Sequence, residues 1–337
     1  MKVLVTGANG FTGSHLVKAL NHRGDRVVGL VRKSSNLQRL ASCQIDLVYG
    51  EISEAKRDEV VRAVLKTAMT GVDVVFHLAA YVELGIVNEA EMQRVNVEGT
   101  RAIVEATQAA GAKLIYCSTI GIFGDTNGQT VDETFVRQQK GFSSAYDRTK
   151  YEAQQLVDRA AAQGLDAISI LPSGIFGADD PHFGPVLQSF LKGRLKLWAG
   201  GQRITGIVQV DDLAIAMLLA AEKGKSGEHY IISAGDLTTR EMFETLGQES
   251  GLSAPVDAPE WLVRLLGNLL DPVGRLLSWQ PPLSRERVHY IYDRCVQVNA
   301  TKARQELGWQ PRSVEQTLKE LVKASLTTPI KQSGNPQ

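Results

Sequence analysis

The sequence predicts an α/β protein: a doubly wound parallel sheet with helices on both faces, and a smaller C-terminal substrate lobe interleaved with it. Three observations predict it. Short apolar runs of strand length alternate with longer amphipathic stretches up to about residue 171, the pattern of strands joined by crossover helices in a sheet buried on both faces. A glycine-rich turn joins the first of these runs to the first helix. The chain has 337 residues, 43% of them hydrophobic, which is enough for a large core and a second lobe.

Charge and cysteine content narrow the partners. Lys plus Arg and Asp plus Glu number 37 each, a formal net charge of zero, so there is no electrostatic case for nucleic acid. A small-molecule substrate is the partner expected, and homodimerisation is left open. Cys43, Cys117 and Cys295 are widely spaced and form no metal-ligand pattern, which points to a reducing cytoplasmic compartment and to no metal. The first strand starts at residue 2 and leaves no room for a signal peptide.

Lys2-Val3-Leu4-Val5-Thr6 is the first strand, and Gly7-Ala8-Asn9-Gly10-Phe11-Thr12-Gly13 follows before a helical pattern opens at Ser14. A buried strand running through glycines into a helix makes an anion site, because the unbonded amides of the first helical turn point outward. Gly7 permits the tight turn, Gly10 the approach of a pyrophosphate, and Gly13 close packing of helix on strand. The expected guest is a dinucleotide, with Phe11 and Thr12 in the same loop. Arg26 to Val31 is the second strand, and Arg32 stands at its end. A guanidinium there pairs with a 2′-phosphate, which favours NADP(H) over NAD.

Ile45 to Gly50 is the third strand, with Glu51 and Ile52 at its end, and a helix runs from Glu54 to about Met69. Val72 to His77 is the fourth strand, ending in Leu78-Ala79-Ala80, whose small residues let backbone approach a ligand. His77 reads as a packed core histidine. A helix from Glu89 to Ala110 leads to the fifth strand, Lys113 to Cys117, which delivers Ser118 and Thr119. A helix then opens at Ser144-Ala145-Tyr146-Asp147-Arg148-Thr149-Lys150. Tyr146 and Lys150 lie four apart and so project from one helical face. An ammonium about 4 Å from a phenol, at an effective dielectric near 20, favours the phenolate by roughly 4 kcal/mol. Tyr146 is thereby expected to be tuned toward working pH.

The G-x-x-G-x-x-G spacing, Asn96-Val97-Glu98-Gly99-Thr100, Ser118-Thr119 and the Tyr146/Lys150 pair together resemble the extended short-chain dehydrogenase/reductases, the NAD-dependent epimerase/dehydratase superfamily. The resemblance covers nearly the whole chain and implies a Rossmann sheet. It implies that Thr119 hydrogen-bonds the substrate oxygen, with Ser118 beside the cofactor. Tyr146 would exchange the proton, and Lys150 would hold the nicotinamide ribose. It further implies that Glu51 lies near the adenine, and that the loop Pro172-Ser173-Gly174-Ile175-Phe176-Gly177, after a sixth strand at Ile168 to Leu171, lies against the nicotinamide carboxamide. Pro172 and Ile175 are therefore counted with the cofactor site.

Leu171 and Thr205 stand where nucleotide-sugar members carry arginines, with Arg203 nearby, and Ile120-Gly121 replace the acid and base of sugar dehydratases. These departures resemble the branch of dihydroflavonol 4-reductase-like and 3β-hydroxysteroid dehydrogenase-like proteins. Residues 1–174, with returning segments near 204–234, would bind NADP; residues 175–327 would form the substrate lobe; 328–337 would be a disordered tail. From Trp261 to Trp279 the chain is densely apolar but broken by Arg264, Asp271 and Arg275, too broken for a membrane span. It suits a packed helix, a pocket wall or a membrane-surface contact. The expected activity is NADPH-dependent reduction of a small or apolar ketone or aldehyde. A nucleotide-sugar epimerase with tightly bound NAD(P) is the alternative, and a dinucleotide sensor without turnover a third reading.

Overall fold

The computed structural model describes residues 1–55 and 58–327. Seven parallel strands form the main sheet: β1 Lys2–Thr6, β2 Arg26–Val31, β3 Asp46–Tyr49, β4 Val74–His77, β5 Lys113–Cys117, β6 Ala167–Pro172 and β7 His229–Ile232. Their spatial order is β7-β6-β5-β4-β1-β2-β3. The chain therefore winds outward from β1 through β2 to β3, crosses back to β4, and winds the other way. This reversal opens a crevice at the carboxyl ends of β1 and β4. Val3, Leu4 and Val5 have no exposed surface, as expected for a central strand covered on both faces.

Five helices cover the sheet: α1 Phe11–Arg23, α2 Glu59–Ala68, α3 Glu89 to Ala110, α4 Ala145–Ala162 and, after the lobe helix α5 Gly184–Leu191, α6 Val210–Lys223. Two starts differ from expectation. The first helix begins at Phe11, not Ser14, because Gly10 in an extended conformation already serves as its N-cap. The second begins at Glu59, because the chain first makes a 3₁₀ turn at Ile52–Glu54 and the Asp58 side chain then caps the amides of Val60 and Val61; residues 56–57 of the expected helix lie outside the described residues. Within α3 a π-helical turn spans Arg94–Glu98. Here buried Asn96 accepts from Tyr81 N at 2.7 Å and donates to Tyr81 O and to Thr149 Oγ1, each at 3.0 Å. One side chain thus fixes the loop after β4 against α4.

The smaller lobe is built from α5, α7 Thr239–Ser250, α8 Glu260–Leu276, α9 Arg285–Tyr292 and α11 Val314–Thr327 with short strands, whereas α10 Thr301–Leu307 packs on α6 and β7 of the main domain. The strand Ile204–Gln209 pairs parallel with Gly174–Phe176 and antiparallel with Gly235–Thr238. Phe176, Leu187, Phe190, Ile207 and Phe243 pack together at its centre. The chain then returns: α6 packs on α1, and β7 joins the edge of the main sheet beside β6. Of α8, Val263, Gly267 and Gly274 are buried against the lobe, whereas Trp261, Leu265, Leu269 and Leu276 are exposed. Its apolar face therefore looks outward. Among the described residues no helix is long and apolar enough to cross a membrane, and the expected tail at 328–337 lies outside them.

Candidate active site

The glycine turn is sterically obligatory. Gly7 has φ +68°, and a Cβ there would lie 2.8 Å from Ala79 N. A Cβ at Gly13 would lie 2.1 Å from Gly7 O, and one at Gly10 3.2 Å from the same oxygen. Gly13 is thus what lets α1 start directly on β1. No side chain caps α1, so the amides of its first turn, at Phe11, Thr12 and Gly13, face the crevice as an anion site. Gly7, Gly10, Arg32, Glu51 and Ile52 line a cavity of about 440 Å³, and Leu78, Ala79 and Ala80 close its other wall. Arg32 is exposed at its rim.

The floor is held by a buried hydrogen-bond chain. Thr6 Oγ1 accepts from Leu78 N and Ala79 N at 3.2 and 3.1 Å and lies 2.7 Å from His77 Nδ1. With two donors already on it, Thr6 gives its own proton to Nδ1. His77 Nε2, 2.9 Å from Thr100 Oγ1, then carries the ring proton, and Thr100 donates onward to Asn96 O at 2.6 Å. Burial, helped by the Lys150 charge, lowers the His77 pKa to about 3. His77 is a neutral structural residue.

Thr119 lies at the end of β5, and its Oγ1 accepts from Gly121 N at 3.0 Å, leaving its proton free for a ligand. The Ser118 hydroxyl is buried and has no hydrogen-bond partner. Ser144 caps α4 by accepting from Asp147 N at 3.0 Å, which aims Tyr146 and Lys150 at the end of β5. Lys150 Nζ donates to Tyr116 Oη and to Cys117 O, each at 2.8 Å, and burial lowers its pKa to about 8. The expected tuning of Tyr146 is corrected here: burial, then the neighbouring Cys117, Tyr290 and Asp147, push the phenol pKa upward. The Lys150 ammonium is engaged by Tyr116 and the Cys117 carbonyl instead. Pro172 ends β6, and Ile175 continues in the parallel strand Gly174–Phe176. Beyond it, a Cβ on Gly177 would lie 2.7 Å from the Phe11 ring, so this segment approaches the glycine turn.

Four residues escaped sequence reading. Tyr116 faces Lys150 from β5. Asp147, only 1% exposed, turns its carboxylate inward to Arg294 Nε at 3.3 Å. Arg294 lies over the Tyr290 ring, 4.3 Å from its centroid, and Arg203 lies 5.1 Å from the same centroid. Leu171, in contrast, is fully buried in the core. Among the described residues no cluster of His, Cys, Asp and Glu could hold a metal ion.

Residues 3–233 match the NAD dependent epimerase/dehydratase family. The chain belongs to this family. Membership makes it an NAD(P)-dependent enzyme of the oxidoreductase and epimerase class, and the sheet order and crevice are those of its Rossmann-like fold. The chain is 33% identical over 323 residues to a 4-hydroxy-2-methyl-3-oxo-4-farnesyl-3,4-dihydroquinoline-1-oxide ketoreductase of Stigmatella aurantiaca, covering 94% of each protein. It is 31% identical over 340 residues to a 3-beta-hydroxysteroid dehydrogenase of Mycolicibacterium neoaurum, covering 92% of this chain and 87% of that one. The solved structure of gox2253 superposes with a TM-score of 0.80 at 29% identity, covering 96% of this chain and 98% of that one. The residues present fit the family's dinucleotide: the uncapped helix and the glycine cradle lie at the crevice, and the buried Ser118 hydroxyl just beyond β5 has no partner within the protein.

Proposed function

We propose that the protein is an NADPH-dependent carbonyl reductase, acting on a ketone or aldehyde with Tyr146 as proton donor. The observation that carries this reading is the convergence of Thr119, Tyr146 and Lys150 at the end of β5, beside a dinucleotide crevice. NADP(H), when bound, supplies the hydride. Gly7, Gly10, Phe11, Thr12 and Gly13 receive its pyrophosphate, and Arg32 pairs with the 2′-phosphate. Glu51, Ile52, Leu78, Ala79 and Ala80 enclose the adenosine side; Ser118, Pro172 and Ile175 border the nicotinamide.

Thr119 Oγ1 donates a hydrogen bond to the substrate oxygen and orients the carbonyl. Tyr146 Oη then delivers its proton to that oxygen as the alcohol forms. Even at its ordinary pKa of ~10 a phenol is protonated at neutral pH, which is the state a proton donor needs. Lys150, fixed by Tyr116 and the Cys117 carbonyl, would hold the nicotinamide ribose. Two curated relatives, one named a ketoreductase and one a 3-beta-hydroxysteroid dehydrogenase, act on keto or hydroxyl groups by their names, which supports the reaction class.

Purified protein offered NADPH and a panel of aromatic, alicyclic and long-chain carbonyl compounds should consume NADPH with at least one of them. A protein that retains bound dinucleotide, consumes none and interconverts a UDP-sugar would be an epimerase. Arg203, beside Arg294, is the observation in favour of that second reading. A sensor is disfavoured by the Tyr146 and Lys150 pair.

A further inference from the structure

Asp147 and Arg294 form an ion pair that the reaction above does not use. Arg294 Nε lies 3.3 Å from Asp147 Oδ2, and the two side chains are only 1% and 6% exposed, Asp147 the deeper. Both Asp147 oxygens and the Nε and Nη2 atoms of Arg294 lack a hydrogen-bond partner. Charge attraction therefore joins them, and removing one partner of such a pair leaves the other buried and uncompensated.

The pair stands beside the reacting groups. Asp147 follows Tyr146 in the first turn of α4. A Cβ on Gly121 would lie 2.6 Å from Asp147 Oδ1, 3.2 Å from Arg294 Nη2 and 3.3 Å from Thr119 Oγ1, so the room that Gly121 leaves is bordered by the ion pair and by the substrate-orienting hydroxyl together. The segment that carries Arg294 is pinned to the chain beyond β5: Thr126 N donates to Cys295 O at 2.9 Å, and Cys295 N to Asp125 Oδ1 at 3.2 Å. Lys150 is engaged by Tyr116 and the Cys117 carbonyl. Besides desolvation, Cys117 of β5 and Tyr290 of α9, two charged groups act on the Tyr146 phenol: Asp147 disfavours its phenolate, and Arg294 favours it. Arg137 and His289 also act on Asp147.

We infer that Arg294 is a positioning residue of the carbonyl reductase: it cancels the Asp147 carboxylate beside Tyr146 and ties the first turn of α4 to the segment after α9. The inference rests on the reductase reading. With the pair intact, the reacting phenol has a neutral neighbour. Without Arg294, a bare carboxylate would hold back the proton that Tyr146 must deliver; without Asp147, a bare guanidinium would stabilise the phenolate. The two removals therefore act on Tyr146 in opposite directions, which loss of packing alone would not do.

The test is a titration of Tyr146 in protein loaded with NADP⁺, read from the ultraviolet absorbance of tyrosinate as the difference between each variant and the same variant carrying Tyr146→Phe. The midpoint should rise from Asp147→Asn through wild type to Arg294→Leu, each step being about half a pH unit or more. Arg294→Lys should stay near wild type. The double variant Asp147→Asn/Arg294→Leu, which leaves no charge unpaired, should return to the wild-type midpoint; if Arg294→Leu alone fails to fold, Asp147→Asn and the double variant decide. Midpoints that stay put, or that move the same way in both single variants, would overturn the inference, whatever happens to the melting temperature. For a carbonyl compound that the protein reduces, the alkaline limb of kcat/KM should move in the same order. Carbonyl reduction with unmoved midpoints would remove the inference and leave the reductase reading standing. Opposite shifts in a protein that reduces no carbonyl compound would keep the action of the pair on Tyr146 and remove the reductase reading.

Discussion

Tyr146 is placed to act as an acid. Its side chain is only partly buried, and even a phenol with an ordinary pKa of ~10 is protonated at neutral pH, so it has a proton to give when a substrate oxygen arrives. Removing that proton in Tyr146→Phe should lower kcat by roughly two to four orders of magnitude while dinucleotide affinity, read by calorimetry, holds. A near-normal rate would remove Tyr146 from the reaction. Lys150→Met should lower both rate and dinucleotide affinity, because one ammonium serves both. Arg32→Asp replaces attraction for a 2′-phosphate by repulsion. Charge-assisted bonds of about 1.5–3 kcal/mol predict at least a tenfold shift toward NAD(H), and a mutant with unchanged preference would make Arg32 merely solvated. Tyr146 and Lys150 could be seen in the sequence because helical periodicity alone places residues four apart on one face. Tyr116, Asp147, Arg294 and Tyr290 could not, because their meeting depends on how β5, α4, α9 and the segment after it pack.

The β1–α1 turn is the element on which the site depends. In Gly13→Ala the new methyl would meet Gly7 O at 2.1 Å, and backbone that cannot yield must shift, costing about 1–3 kcal/mol. Thermal unfolding should show that loss, together with a weakened stabilisation by NADPH; an unaltered melting curve would contradict the packing described. A second element-level clamp joins α1 to the loop before α5 and to the start of α6. His15 Nδ1 lies 2.5 Å from Asp211 and Nε2 3.0 Å from Asp179, and an imidazole facing a carboxylate on each nitrogen is satisfied only as the cation. Although burial opposes it, these two carboxylates raise the His15 pKa. The folded value exceeds the unfolded 6.5, so the stabilisation is complete below that pH and is lost as pH rises through the folded value. With both carboxylates half-exposed, the effect is about 1 kcal/mol. Denaturation from pH 6 upward should show it in the wild type and lose it in His15→Gln. The bounds of β2 and β5 were readable from unbroken apolar runs. The start of α2 was not, because Asp58 stops the helix from extending back to Glu54.

At the scale of the whole molecule, the lobes are tied by a chain that leaves the sheet after β6, builds the strand Ile204–Gln209, and returns as α6 and β7. The buried Asp212 of α6 pairs with Arg312 at 3.0 Å, and Trp309 Nε1 donates to the Asp212 carbonyl at 2.9 Å, so the C-terminal segment locks this return. The sequence carried the glycine turn, the alternation and the closing segment, and hence the fold and the crevice. It could not say which way the apolar face of α8 turns, since amphipathicity defines a face but not its partner. Nor could it bring Arg203 to Arg294, whose positions are 91 residues apart in the chain (294 minus 203). The central claim is net transfer from NADPH to a carbonyl carbon, and isotope transfer tests it most directly. With NADPH carrying deuterium at both C4 positions of the nicotinamide and a carbonyl compound that the protein turns over, the alcohol should carry one deuterium on the former carbonyl carbon for each NADPH consumed. Dinucleotide that stays bound and unconsumed while a sugar nucleotide is converted to its epimer would contradict the account.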